Sequence, residues 1–194
     1  GGMICTDDER LAKRMQVMRL HGIDREAWDR YSRPGSKWYY QVVEAGYKYN
    51  MPDLTASIGR VQLKRAQEMR DRRARIADSY RERLKDLPFL ELPTDSPGHA
   101  WHLFPVSIRP EVLGAGRDHV AEALLHAGIG TSVHYIPLHI MPYYRDRYGF
   151  TPESFPNSYA RYLNTLSIPL YSRMTDAECD RVVAAIRCLP DNVR

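Results

Sequence analysis

His134 and His139 stand in the setting where polar side chains most often meet a ligand, a Tyr- and Pro-containing loop with Tyr135, Pro137 and Leu138 at the end of an apolar segment. An imidazole there can donate, accept or move a proton, and a packing role suits either residue equally well. His99 and His102 have a spacing that would suit a metal on a helix, but the run around them alternates like a strand, which sends the two rings to opposite faces. No metal site is expected. Gly114-Ala115-Gly116 lacks the third glycine and the preceding strand of a phosphate loop, so it reads as a turn. Spacing identifies neither a Ser-His-Asp set nor a carboxylate pair, and no nucleophile stands out. One electrostatic feature remains: between residues 60 and 85 ten Arg or Lys face four acids, a local excess of six against +4 for the whole chain. A solvated helix face accounts for it, and a phosphate- or nucleic-acid-binding surface is the alternative.

These residues sit in 194 that are 43% apolar and 27% charged, a composition that excludes disordered, collagen-like and coiled-coil chains. No apolar run approaches the roughly 20 residues of a membrane span. The three cysteines, Cys5, Cys179 and Cys188, are odd in number and far apart, which argues for a reducing cytoplasm over a disulfide framework. The start at Gly1-Gly2-Met3 reads either as a scar before a true start at Met3 or as the cut edge of a longer protein.

The elements expected to position the candidates follow from pattern. Residues 2–5 read as a strand, and Thr6-Asp7-Asp8-Glu9 as the capping box of a helix that stops near Gly22. Residues 22–47 form a long loop rich in Trp and Tyr, a composition that packs on a ligand or another chain. From 53 to 86 an apolar stripe through Leu54, Ile58, Val61, Met69, Ile76, Tyr80 and Leu84 predicts one long helix or two in tandem. Alternation predicts a strand over 100–108 with Ala100, His102, Phe104, Val106 and Ile108 on one face. Further expectations are a helix over 117–127, a strand over 131–135, helices near 142–148 and 157–165, and a strand over 167–171. The last is a helix opened by the box Thr175-Asp176-Ala177-Glu178. Helices alternating with short strands make the C-terminal portion a small α/β or α+β layer.

Several stretches, in shared order and spacing, resemble the DegT/DnrJ/EryC1/StrS family of pyridoxal-phosphate sugar aminotransferases. Gly1-Gly2-Met3 with Thr6-Asp7-Asp8 resembles the family's GG strand and TDD turn, and Leu20-His21-Gly22 its HG dipeptide. The run from Gly46-Tyr47-Lys48-Tyr49-Asn50 through Gln62-Leu63 resembles its GYNYR signature, with Lys48 at the usual Asn and Asn50 at the usual Arg. His99-Ala100-Trp101-His102-Leu103-Phe104 resembles a strand of the branch that makes 4-amino-4-deoxy-arabinose nucleotides. Gly128-Ile129-Gly130-Thr131 through His134-Tyr135 and Pro137-Leu138-His139 resembles the family's GIGTxxHY strand and PLH loop.

The resemblance implies an α/β fold, the C-terminal part of an aspartate-aminotransferase-like, fold type I transferase with a long linking helix. Residues 1–58 would be the tail of the large cofactor domain and 59–194 the small domain. The cofactor would be pyridoxal 5'-phosphate, with Lys48 and Asn50 binding its phosphate across the interface of a cytoplasmic homodimer. Lysine keeps the charge of the site as a point cation. His134, Tyr135 and His139 would line the sugar-nucleotide pocket, and Trp38 and Tyr39 would come from a loop reaching over the partner's site. The reaction implied is amino transfer from glutamate to a keto sugar nucleotide, and a dehydratase of the same family is the alternative. The family's cofactor-bearing lysine would lie upstream of Gly1, so no catalytic residue is assigned and the chain alone is expected to be inactive. Neither nucleic acid nor membrane is an expected partner.

Overall fold

The computed structural model describes residues 2–24 and 39–192. Its contacts divide the chain into two units, residues 1–64 and 65–194, with the division at the end of the first of two tandem helices. The boundary read from sequence, after residue 58, falls inside that helix.

The first unit holds α1 (Glu9–Met18) and α2 (Asp53–Lys64). Residues 2–5 are irregular rather than a strand, since no neighbouring segment pairs with them among the described residues. Asp8, not Thr6, caps α1: its carboxylate accepts from the amides of Arg10 (2.8 Å) and Leu11 (3.1 Å), while the Thr6 hydroxyl accepts from the amide of Asp8 (3.1 Å). The stretch TDD offers two capping residues, and the anionic one nearer the helix takes the role. Along α2 the expected stripe faces outward, with Leu54 77%, Ile58 57% and Val61 58% exposed.

The second unit is built on α3 (Ala66–Leu84) and a three-stranded antiparallel sheet in the order β1 (Leu90–Glu91), β2 (Phe104–Ile108), β3 (Thr165–Ile168). The alternation of β2 buries Phe104, Val106 and Ile108 as expected, but the strand does not reach back to residue 100. Trp101 turns out of the extended region at φ 47° and drops its ring into the core, so Ala100 and His102 are exposed. Pattern counting cannot anticipate a left-handed non-glycine residue, because such residues are rare. The expected strand over 131–135 shrinks to one bridge, in which Ser132 and Ser167 exchange backbone bonds of 3.1 and 2.7 Å. That exchange turns the amide and carbonyl of Ser167 away from β2, and so Pro105, opposite Ser167, sits mid-sheet without a missing donor.

Helices α4 (Pro110–Leu113), α5 (Arg117–His126), α6 (Pro142–Tyr148), α7 (Pro156–Asn164), α8 (Asp176–Arg187) and α9 (Leu189–Asn192) complete the unit. Its core runs from Ile76, Tyr80 and Leu84 of α3 through the strands to Val182, Ile186 and Leu189. Each fully buried Leu- or Phe-sized side chain contributes about 1.5–3 kcal/mol. Tyr80 edges onto Phe104 at 5.2 Å and donates its hydroxyl to the carbonyl of Pro169 (2.9 Å); burial pushes its phenol far above the ordinary range. Basic residues of α3 are engaged within the unit. Arg72 donates to the carbonyl of Met174 (3.1 and 2.5 Å) and pairs with Asp176 (2.7 Å), Arg83 pairs with Asp180 (2.5 Å), and Arg73 donates to the carbonyl of Ala100 (3.0 Å). Acids beyond the helix thus answer part of its charge.

Candidate functional site

In the first unit the two motifs around residues 20 and 48 are folded onto each other. The amide of His21 donates to the carbonyl of Tyr47 (2.8 Å), the amide of Tyr47 to that of Met18 (2.7 Å), and the amide of Tyr49 to that of Arg19 (2.8 Å). The turn demands glycine twice. A Cβ on Gly22, at φ 70°, would stand 1.8 Å from the carbonyl oxygen of Glu44, and one on Gly46 would stand 2.1 Å from the amide nitrogen of Gly22. An ion pair between Arg14 and Glu44 (2.7 Å) ties α1 to the same crossing. Its product is a short extended edge on which Tyr47 and Tyr49 stack (ring centroids 4.8 Å), with Lys48 exposed and Asn50 half-buried beside it. The Lys48 ammonium donates to Oδ1 of Asn50. It has three donors, so two remain for an anion.

Tyr39 belongs to this unit as well, 42% exposed, its hydroxyl accepting from Nε2 of Gln41 (2.6 Å). Gln41 in turn is held by Asp24, whose carboxylate accepts from the Gln41 amide and whose own amide donates to the Gln41 carbonyl, both at 3.0 Å. Trp38 lies outside the described residues.

The second unit contains a cleft of about 710 Å³ between the β2 face, the 133–138 loop and α7. It brings together His134 and Tyr135 with Glu91, Ser107, Arg161 and Tyr162. His134 Nδ1 lies 2.9 Å from Oγ of Ser167, a bond that fixes the ring and leaves Nε2 for another partner. Tyr135 is 72% exposed at the rim. On the opposite wall Arg161 Nη1 donates to Oε1 of Glu91 and to Oγ of Ser107, each at 2.9 Å, and Ser107 reaches Oγ1 of Thr165 (3.1 Å). So exposed an ion pair holds with only about 0–1 kcal/mol, and it can exchange for a ligand's hydroxyl or anionic groups.

Arg117 sets the height of this wall. Nine-tenths buried at the start of α5, it donates to the carbonyl of Tyr162 (2.6 Å), covers the Tyr162 ring at 4.9 Å and pairs with Asp118. The end of α7 is therefore clamped where Arg161 and Tyr162 enter the cleft.

His139 is not in that cleft. It is buried in the turn Leu138–Ile140, against Phe155 at 5.0 Å, and lines a smaller recess of about 330 Å³. The structure thus groups Lys48 with Asn50 and Tyr135 with His134, and sets His139 in an adjoining cavity. Arg161, Glu91 and Arg117 went unread in the sequence. An Arg on an amphipathic helix looks like surface charge until the helix is docked, although for Arg161 its place in the last turn of α7 was an available signal.

The sequence profile of the DegT/DnrJ/EryC1/StrS aminotransferase family matches residues 1–187. The chain is 47% identical over 189 residues to Uncharacterized protein MJ1066 of Methanocaldococcus jannaschii, covering 96% of this chain and 49% of that protein. It is 45% identical over 190 residues to the Spore coat polysaccharide biosynthesis protein SpsC of Bacillus subtilis, with the same two coverages of 96% and 49%. Among solved structures it superposes on "Putative sugar aminotransferase Spr1654" of Streptococcus pneumoniae, in the PMP form, with a TM-score of 0.83 at 30% identity, over 97% of this chain and 47% of that one. The same protein is also solved in a PLP form. The chain spans about half the length of the curated relatives it matches. Its mixed helix-and-sheet architecture is that of part of a fold type I sugar aminotransferase, and by profile, sequence and fold it belongs to the DegT/DnrJ/EryC1/StrS aminotransferase family.

Proposed function

We propose that the chain forms part of a pyridoxal-phosphate-dependent aminotransferase that moves an amino group from glutamate to a keto sugar carried on a nucleotide. In this reading residues 1–58 close the large cofactor domain, 59–194 form the small domain, and the enzyme works as a cytoplasmic homodimer. The observation that carries the proposal is the Gly22–Gly46 crossing, which projects the Lys48 ammonium on a fixed edge with Asn50 as its neighbour. That donor set fits the phosphate end of the cofactor, because a lysine serves a phosphate as a point charge. When bound, the cofactor supplies an electron sink, and the protein supplies orientation and electrostatics.

The chain's own residues then divide the work. Lys48 and Asn50 hold phosphate oxygens. His134 and Tyr135, with His139 behind them, face the sugar nucleotide, and Tyr39 and Trp38 reach over the partner's site. Leu54, Ile58 and Val61, open along α2, have the composition of a subunit interface.

Cofactor titration of the full-length protein tests the role of Lys48. Lys48→Ala should weaken retention of pyridoxal phosphate about tenfold or more, with Lys48→Arg intermediate because the charge survives. Unchanged cofactor affinity in Lys48→Ala removes Lys48 from the site.

A further inference from the structure

Trp101 holds a left-handed backbone, φ 47°, with its indole 2% exposed and stacked on Phe104 (ring centroids 5.7 Å). A bulky residue keeps such a backbone only where its surroundings impose it. The restraint comes from His99. The Trp101 amide donates to Nδ1 of His99 (2.8 Å), and the imidazole lies against the indole with 4.2 Å between ring centroids. An amide can only donate, so Nδ1 is the unprotonated nitrogen and the neutral ring carries its proton on Nε2. The bond spans two residues, the arrangement that Asn and Asp side chains make in an Asx turn. His99 is half-buried, and its own amide donates to the carbonyl of Ser96 (3.1 Å).

The charges around this pair come from α3 and from the loop before His99. On α3, Arg81 lies over the indole at 5.6 Å and Arg73 donates to the carbonyl of Ala100 (3.0 Å). Asp78 of the same helix (2.5 Å) and Asp95 of the loop (3.4 Å) answer Arg81. Protonation of His99 would turn Nδ1 into a donor facing a donor, and it would bring a second cation to the ring that Arg81 already covers. We propose that His99 is a pH-sensitive latch: neutral, it holds Trp101 in its left-handed turn, and charged, it releases the Trp101 amide and loosens the start of β2. Phe104, the first residue of that strand, rests on the same indole, and Pro105 and Ser107 of the strand line the cleft. The latch therefore sits one layer behind the cleft wall. Its hold is complete where the imidazole is neutral and is lost as pH falls through the range in which histidines charge, about pH 8 to 5.

The test is the Trp101 amide signal of the full-length protein labelled with ¹⁵N-tryptophan, followed by NMR from about pH 8 to about pH 5 and assigned by its absence in Trp101→Phe. In the wild type the signal should move upfield as pH falls, the mark of a lost hydrogen bond, while the far-UV circular dichroism stays constant. His99→Asn keeps an acceptor and cannot titrate, so its signal should hold the neutral-pH position throughout. His99→Phe keeps a ring and loses the acceptor, and it should show the acid position already at neutral pH. His102→Asn, at an exposed position three residues on, should titrate as wild type. A wild-type signal that does not move, or one that still moves in His99→Asn, would overturn the proposal. Movement that comes only together with loss of the circular dichroism signal would overturn it too, because that is general acid unfolding.

Discussion

In residues 65–194 the helices and strands send side chains into one core that runs from Ile76 to Leu189, whereas in residues 2–24 and 39–64 only Gly22 is buried. The first unit keeps its local geometry through backbone bonds and glycine contacts, and it leaves Leu54, Ile58 and Val61 open. A core supplies stability, since each buried apolar group adds to a shared sum. A glycine crossing supplies position, because it fixes where Lys48 stands without burying anything. The division fits the proposed roles: a small domain that carries its own cleft, and a projecting edge whose apolar neighbours ask to be covered by more protein.

The largest effect should come from the core. Phe104→Ala should destabilise the chain by about 4 kcal/mol, measured by urea unfolding, since Phe104 is fully buried between Tyr80 and Trp101. Next in size, Gly46→Ala should cost about 2–3 kcal/mol of local stability by forcing backbone against backbone. Hydrogen exchange should show the amides of His21, Tyr47 and Tyr49 losing protection while those of β2 keep theirs; equal loss in both regions would erase the contrast.

A smaller effect is expected at the start of α8, where Thr175 and Glu178 bond each other's backbone amides (2.7 and 3.2 Å). Thr175→Ala should cost about 1 kcal/mol. The bonds from Thr175 hold the Glu178 carboxyl below its ordinary value near 4.5. Its contribution is therefore complete above that pH and fades as pH falls through the lower folded value. Stability curves of wild type and Thr175→Ala should converge on acidification in that window, and a constant gap would exclude the linkage. Smallest of all, Ile58→Ser should alter the stability of the chain by no more than about 0.5 kcal/mol, because the side chain is already 57% exposed. In the full-length protein the same change should weaken dimerisation, as read by sedimentation.

What could be read in the sequence was what depends on short-range pattern. The helix at Pro142–Tyr148, the capping box at Thr175 and the tandem helices from Asp53 to Leu84 follow from caps, proline and stripe alone. Gly22 marked the end of a helix and Gly46 opened the GYNYR-like run, but that the two stretches meet was not legible, since the crossing joins residues about 25 apart. The cleft was legible in part: His134 and Tyr135, singled out from the sequence, both line it, whereas Arg161 and Glu91 come together across 70 positions. Strand ends were the least readable, as the single bridge at Ser132 and the left-handed Trp101 attest, because a strand exists only where a partner accepts its bonds.

The central claim is amino transfer to a nucleotide-linked keto sugar by the enzyme to which this chain belongs. Supplying the full-length protein with pyridoxal phosphate, ¹⁵N-glutamate and a keto sugar nucleotide, then following the products by mass spectrometry, tests it most directly. The account predicts a ¹⁵N-labelled amino sugar nucleotide and 2-oxoglutarate in equal amounts. A sugar product that has lost water and carries no label, or no turnover of any keto sugar nucleotide with any amino donor, would contradict it.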